Sequence, residues 1–169
     1  MIDERRVRDL SSLSSREKVE FMLMLCVGLL GELEHFRRAS KEMEKLFETY
    51  DLALRRIRLW LRGELNDAEA LRYPVYNSDG TDIADTTLRL RALLPDADIE
   101  ILGSTITTSL LYVAFLQYTR DGVELLPHPY QGPMDEEELA ENLEIDLGNY
   151  SSALQAKFDQ IWEARFRPD

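Results

Sequence analysis

The two histidines are the first residues in this sequence that could support chemistry, because imidazole binds metals and carries protons near neutral pH. Glu32 and His35 have a Glu-x-x-His spacing, which places both side chains on one face of a helix. Di-iron carboxylate bundles use two such pairs and two further glutamates. This chain has one pair, since His128 lies between Pro127 and Pro129. The pattern favours a surface histidine, and a metal-dependent helical enzyme stays as a weaker alternative.

Cys26 is the only cysteine, so a disulfide within the chain is impossible. A nucleophilic thiol needs a nearby base and an electropositive setting. Cys26 instead shares an apolar helical face with Met22 and Leu29. We therefore expect a buried, unreactive thiol.

The segment 77–82, Asn-Ser-Asp-Gly-Thr-Asp, resembles part of a calcium-binding loop. Aligning Gly80 with the glycine of such a loop puts Val75 where the first aspartate belongs and Thr86 where the bidentate glutamate belongs. The match therefore fails at both ends. A turn followed by a helix cap at Asp82 explains the same residues.

Other sequence signatures of catalysis do not occur in this chain. It has no glycine-rich phosphate loop, no serine nucleophile elbow and no Cys-x-x-Cys pair. Its 32 acidic residues make close carboxylate pairs unavoidable, and no pair stands out as a shielded acid and base. We therefore expect a protein that is not an enzyme and needs no cofactor.

The densest run of like charge follows Met134. Carboxylates in this position either form a solvated helix start or present a docking surface to a basic protein, and the sequence leaves both readings open. In the second reading, acids near residues 96–100 would contribute to the same surface. The candidate partner-binding residues are Asp135, Glu136, Glu137, Glu138, Glu141, Glu144, Asp146, Asp96, Asp98 and Glu100.

The charge is distributed unevenly along the chain, whose net charge is −12. Residues 1–62 contain 13 basic and 11 acidic side chains, whereas residues 63–169 contain 7 basic and 21 acidic ones. Nucleic acids and anionic membranes are poor partners for such a chain, because binding to phosphate depends on lysine and arginine. A basic protein partner, such as a toxin, would be attracted, and attraction of this kind raises association rates. Acidity that serves solubility alone is the alternative.

Capping signals and apolar spacing predict the first two long helices. Ser14 and Glu17 fit a capping box that opens a helix to about Arg38. Apolar residues surround most of this helix, so we expect it to be central. A second helix runs between Ser40 and Gly63, with acids in its first turn, arginines at its end, and the glycine as a left-handed cap.

The middle of the chain has weaker signals. Residues 66–72 predict a short capped helical turn, and residues 73–80 a loop or small hairpin. A helix from about Asp82 to Leu94 is stopped by Pro95. Residues 99–120 have the composition of a strand, but their length and the absence of a turn signal favour a helix. That helix would have one mildly polar stripe of Thr105, Thr108, Ser109 and Tyr112 beside a core-facing apolar side.

The last third of the chain is predicted to return to helix after an irregular connection. Asp121-Gly122 ends the preceding helix, and the prolines between Leu126 and Pro133 require irregular backbone. The acids after Met134 favour a helix start. A final helix is predicted from about Glu144 to Phe166.

These elements predict an all-α protein, a single domain over residues 1–169 with about six to seven helices around a central apolar helix. A chain of 169 residues with 44% apolar side chains can bury a core without a disulfide or metal. Residues 21–30 are too short to span a membrane, which takes about 20 apolar residues, and residues 101–118 contain too many polar side chains. The charged N-terminus does not have the pattern of a signal peptide. We therefore expect a cytoplasmic protein.

Three segments also carry a family resemblance. The first is Phe21-Met22-Leu23-Met24-Leu25-Cys26, in a helix that ends at the aromatic Phe36. The second is Leu94-Pro95-Asp96-Ala97-Asp98, which leads into the apolar segment after Gly103. The third is Met134-Asp135-Glu136-Glu137-Glu138-Leu139-Ala140-Glu141-Asn142, placed before the last long helix. Together they resemble the YjaG-like family, small bacterial cytoplasmic proteins grouped as a domain of unknown function. The resemblance implies an all-helical fold and brings no known activity, cofactor or catalytic residue.

The sequence therefore favours a binding protein over an enzyme. The most concrete expectation is an immunity or inhibitor protein that neutralises a basic, nuclease-like bacterial toxin. Its carboxylates would take the place of substrate phosphates on the toxin. A housekeeping helical protein of the YjaG-like kind, with an unknown partner, is the alternative, and the oligomeric state stays open.

Overall fold

The structure, a computed structural model, describes residues 4–122 and 136–166. Over these ranges the chain forms eight α-helices and no strands, which confirms the predicted all-α fold. The helices are α1 (Glu4–Ser11), α2 (Ser15–Leu33), α3 (Lys41–Leu61), α4 (Ala68–Arg72), α5 (Ile83–Leu90), α6 (Asp98–Arg120), α7 (Glu136–Asn149) and α8 (Ser152–Phe166). Short 3-10 turns follow α2 at Glu34–Phe36 and α5 at Arg91–Leu93.

Helices α2 and α3 begin where their capping residues predict. The Ser14 side chain accepts a hydrogen bond from the Glu17 backbone N–H, and the Glu17 carboxylate accepts one from the Ser14 backbone. Ser40 caps α3 through the backbone N–H of Met43. After α3, Gly63 has a φ of +74°, a conformation that suits a residue without Cβ. The predicted helix between Ser40 and Gly63 is confirmed.

The segment 99–120, which combined strand-like composition with helical length, is a helix. Helix α6 packs against α2, α3, α4, α5 and α7, so it occupies the centre of the bundle. Helix α2, which the sequence placed there, packs against α3, α6 and α8. The predicted polar stripe is also buried: Thr105, Thr108, Ser109 and Tyr112 are all less than 9% exposed.

A break between residues 149 and 152 corrects the predicted final helix, which was expected to run unbroken from about Glu144 to Phe166. Ser151 separates the two helices, because its hydroxyl accepts a hydrogen bond from the backbone N–H of Leu154 and so caps α8. The two helices then pack on different neighbours, α7 mainly on α6 and α8 mainly on α2. The predicted irregular connection around residues 126–133 lies outside the described residues.

The buried apolar side chains form one continuous core cluster. At one end of it, Phe21 packs edge-on against Trp162, and the guanidinium of Arg6 lies 5.5 Å from the centroid of the same indole. This contact fixes α1 against α8. Among the described helices, α6 is long and apolar enough to span a membrane by length and composition, and 67% of its most apolar window is buried in the bundle. Such burial is typical of a core helix.

Candidate functional site

Helix α7 has the largest net charge of the described helices. Its 14 residues include six acids and no lysine or arginine, whereas every other described helix has at least one basic residue. Glu141 and Glu144 are exposed, and no ion pair from the described residues reaches either. Ile145 beside them is 61% exposed. Asp135 and the side chains of Glu136, Glu137 and Glu138 lie outside the described residues.

Asp146 does not belong to this exposed surface, which corrects the expectation that it faces a partner. Its side chain is 4% exposed and lies against α6. The Ser104 hydroxyl donates a hydrogen bond to Oδ1 at 2.7 Å, and the Thr105 hydroxyl donates one to Oδ2 at 3.2 Å. Each carboxylate oxygen therefore has its own hydroxyl donor, and the buried charge is solvated by the protein.

The hydrogen bonds continue from Asp146 into the core. The hydroxyls of Thr105 and Tyr150 are 2.7 Å apart. Because Asp146 and the Ile101 carbonyl, each 3.2 Å away, both accept from the single Thr105 hydroxyl proton, the Tyr150 hydroxyl donates to Thr105. One turn further along α6, Ser109 donates to the Thr105 carbonyl at 2.8 Å, which leaves the Cys26 thiol to donate to the Ser109 oxygen at 3.4 Å. Two residues of the polar stripe of α6 therefore have buried partners: Thr105 bonds Asp146 and Tyr150, and Ser109 bonds Cys26.

Burial controls the protonation of these groups. It raises the pKa of Asp146 to about 6, although the hydrogen bonds from Ser104 and Thr105 act in the opposite direction. Burial also raises the pKa of the Tyr150 hydroxyl and raises that of the Cys26 thiol to about 12. A thiol in this state is protonated and a poor nucleophile. The cluster therefore joins α7 to α6, and the Asp146 carboxyl is its one group that titrates near neutral pH.

The three candidate acids at the start of α6 also have structural partners. Asp98 is 7% exposed and accepts hydrogen bonds from both the backbone N–H and the hydroxyl of Ser151. Asp96 accepts the backbone N–H of Asp98 at 2.8 Å. Glu100 forms an ion pair with Arg91. The expectation that Asp98 belongs to an exposed acidic surface is therefore wrong, because its carboxylate ties the α7–α8 junction to α6.

The remaining candidate residues lie apart from this region. His35 is exposed in the turn after α2, with its ring centroid 4.1 Å from that of Phe36, and Glu32 lies 3.8 Å from the ammonium group of Lys157. In the described ranges no group of three His, Cys, Asp or Glu side chains could hold a metal ion. Asp82 caps α5 by accepting the backbone N–H of Asp85. His128 lies outside the described residues.

The buried cluster is what sequence reasoning missed. Asp146 and Tyr150 are four residues apart, a spacing that places both side chains on one helical face. Ser104, Thr105 and Ser109 supply hydroxyls on another helix. These two patterns were visible in the sequence, but nothing in it indicated that they face each other.

Protein-family models, curated proteins and solved structures gave no match when compared with this chain. The likeness to the YjaG-like family therefore stays a prediction.

Proposed function

We propose that this protein binds a basic protein partner through the outer face of α7, most concretely as an immunity or inhibitor protein that neutralises a nuclease-like toxin. One observation carries the proposal: α7 has six acids and no basic residue, and its described exposed carboxylates, Glu141 and Glu144, form no ion pair with the described residues. Uncompensated negative potential of this kind attracts lysine and arginine side chains of a partner.

The packing of α7 on α6 supports the same function. The hydrogen bonds from Ser104 and Thr105 to Asp146 fix the helix on α6, with Glu141 and Glu144 turned to solvent. A charged surface held on a rigid helix loses little conformational freedom on binding. The carboxylates would occupy the positions that substrate phosphates take on the toxin, and the inhibitor would act by occlusion.

The first test uses the proteins encoded by the genes on either side of this one, because an immunity gene sits beside its toxin gene. Each neighbour is expressed alone and together with this protein, and growth is measured. We expect one neighbour to be basic and to inhibit growth, and co-expression to restore growth. Neighbours that leave growth unaffected when expressed alone would contradict the toxin-inhibitor function.

The second test measures the contribution of α7 to binding of that neighbour. The triple charge reversal Glu136→Lys, Glu137→Lys, Glu138→Lys is compared with Glu42→Lys, Glu44→Lys, Glu48→Lys at the start of α3. Both variants change the net charge equally and place lysines near a helix N-terminus. At low salt, we expect the α7 variant to associate at least about tenfold more slowly than the α3 variant. Equal rates for the two variants would show that net charge, and not α7, governs association.

A further inference from the structure

Neighbouring helices cover α6 on two sides, and a narrow stripe of its surface between them is open. Gly103 faces α3 and α5, since a Cβ at this position would lie 2.7 Å from the Tyr50 hydroxyl oxygen and 3.2 Å from Ile83 Cγ2. Thr105 faces α7, where it bonds Asp146. Ser104 lies between these two directions and is exposed. Because helix residues repeat about every 3.6 positions, the half-buried Thr107 continues the same stripe, which ends at the buried Leu111.

The stripe forms the floor of a groove along α5. Two adjoining cavities of about 300 Å³ and about 530 Å³ share Ala84 and Thr107 in their lining. The first extends to Leu88 and Ser104, and the second extends to Leu111. We refer to these two cavities together as the α5–α6 groove. Its combined size suits several side chains of a protein segment, because ligand sites of about 300–1,000 Å³ are usual.

Exposed aliphatic side chains occur on both helices that border the open stripe. Leu88 on α5 lines the groove and is 60% exposed, and Ile145 on α7 is 61% exposed. Away from the groove, Met24 at 46% and Leu52 at 41% are better covered, whereas Leu93 in the turn after α5 is 63% exposed. Ile145 lines a separate cavity on α7, with Glu141, Glu144 and Gly148, and directly precedes Asp146, which accepts a hydrogen bond from Ser104 in the groove floor. Apolar side chains of this kind form the water-excluding centre of protein interfaces.

The side chains that line the groove carry a net negative charge, although the guanidinium of Arg89 donates a hydrogen bond to the Gly80 carbonyl at its edge. Asp85 lines it, is exposed, and has no ion pair with the described residues. Arg91 also lines the groove, but Glu100 neutralises it. On the other side of the stripe, α7 presents Glu141 and Glu144. The groove therefore combines exposed aliphatic groups with a carboxylate border, which complements a segment that has both apolar and cationic side chains.

We propose that the α5–α6 groove and the adjacent Ile145 receive a segment of the basic protein partner. Aliphatic or aromatic side chains of that segment contact Leu88 and Thr107 in the groove and Ile145 on α7, and its lysine or arginine side chains approach Asp85 and Glu144. This inference rests on the proposed function, since it specifies the surface on which the basic partner is bound. The acids of α7 attract the partner, and the groove holds it.

The surface can be mapped on the full chain without knowledge of the natural partner. The probe is a synthetic peptide of alternating lysine and leucine, titrated into the isotope-labelled protein and followed by amide chemical shifts. We expect the shifts to concentrate at Ala84, Leu88, Ser104, Thr107 and Ile145. A glutamate–leucine peptide should leave these amides unchanged, and a lysine–serine peptide should bind at least about tenfold more weakly. Shifts that spread over the molecule, or that concentrate on α3, would overturn the proposal.

A pair of variants separates the groove from the rest of the surface. Leu88→Ser combined with Ile145→Ser should weaken binding of the lysine–leucine peptide at least about tenfold, whereas Leu52→Ser on α3 should leave it unchanged. All three side chains are exposed, so the fold is retained, which the amide spectra check directly. If light scattering shows a dimer that the double variant converts to a monomer, the groove is a self-association surface and the basic-partner proposal is wrong.

Failure of the proposed function gives a different result. A neighbouring gene product without toxicity would remove the toxin-inhibitor role and leave the mapped peptide site in place. Conversely, a toxin that binds α7 with full affinity for the Leu88→Ser, Ile145→Ser variant would retain the function and overturn the groove.

Discussion

The hydroxyl of Ser104 donates a hydrogen bond to Oδ1 of Asp146, 42 residues further along the chain, and this contact joins the central helix α6 to the acidic helix α7. Asp146 is the buried member of a helix whose neighbouring acids, Glu141 and Glu144, face solvent. Carboxylates therefore have two roles on α7. One carboxylate positions the helix, and the others give its outer face a negative charge.

The first prediction concerns the proton on Asp146. Burial raises its pKa from 3.8 to about 6, so between these values the folded protein retains a proton that the unfolded chain has lost. Its contribution to stability is fully present below about pH 4 and is lost as the pH rises through 6. From pH 4 to pH 7, the free energy of unfolding of the wild type should fall relative to Asp146→Asn by about 2 kcal/mol.

Urea unfolding of the two proteins at several pH values, followed by circular dichroism, measures this difference. Glu141→Gln serves as the control, because it removes an exposed carboxylate from the same helix. Parallel pH profiles for the wild type and Asp146→Asn would show that the Asp146 pKa is not raised in the folded protein.

The second prediction concerns the close approach of α3 to α6. A Cβ on Gly103 would lie 2.7 Å from the hydroxyl oxygen of Tyr50, which donates a hydrogen bond to the Ile99 carbonyl. Gly103→Ala should therefore displace this buried ring and lower the free energy of unfolding by about 1–3 kcal/mol. Gly31→Ala on α2 is the matched control, since a Cβ there meets nothing within 4 Å and should stabilise the helix by up to about 1 kcal/mol. Chemical denaturation distinguishes the two, and a stabilising Gly103→Ala would contradict the packing.

The third prediction concerns the junction between α7 and α8. The Ser151 hydroxyl caps α8 at Leu154 and donates a hydrogen bond to Asp98. Its removal in Ser151→Ala leaves the buried carboxylate with one donor fewer, so we expect a loss of about 1–2 kcal/mol in thermal or urea unfolding. Ser152→Ala, at the neighbouring exposed position, should have little effect. Equal stabilities of the two variants would mean that the junction does not depend on Ser151.

The helices whose capping residues lie close in the sequence could be predicted from it. Ser14 with Glu17, Ser40, and Gly63 act on backbone groups within a few residues, so local sequence was sufficient to place α2 and α3. The break before α8 was not predictable in the same way. Ser151 is held by Asp98, 53 residues away, and that contact exists only after the bundle has formed.

The same distinction applies to the candidate site. A charged residue is expected at the surface because an unpaired buried charge is costly. Asp98 and Asp146 are exceptions because distant hydroxyls compensate their burial, and of those hydroxyls only that of Thr105 belongs to the predicted polar stripe of α6. Sequence reasoning therefore found the acidic helix α7 but included two carboxylates that hold the bundle together.

Helix α7 has a buried side and an open side, and substitutions on the two sides differ in their effect on stability. On the buried side, Leu143, Asp146 and Leu147 contribute to the packing against α6, so replacements there weaken the whole bundle. On the open side, Glu141, Glu144 and Ile145 can be exchanged at little cost in folding. Under the proposed function, substitutions on the open side would change which partner is bound while the packing of α7 against α6 is retained.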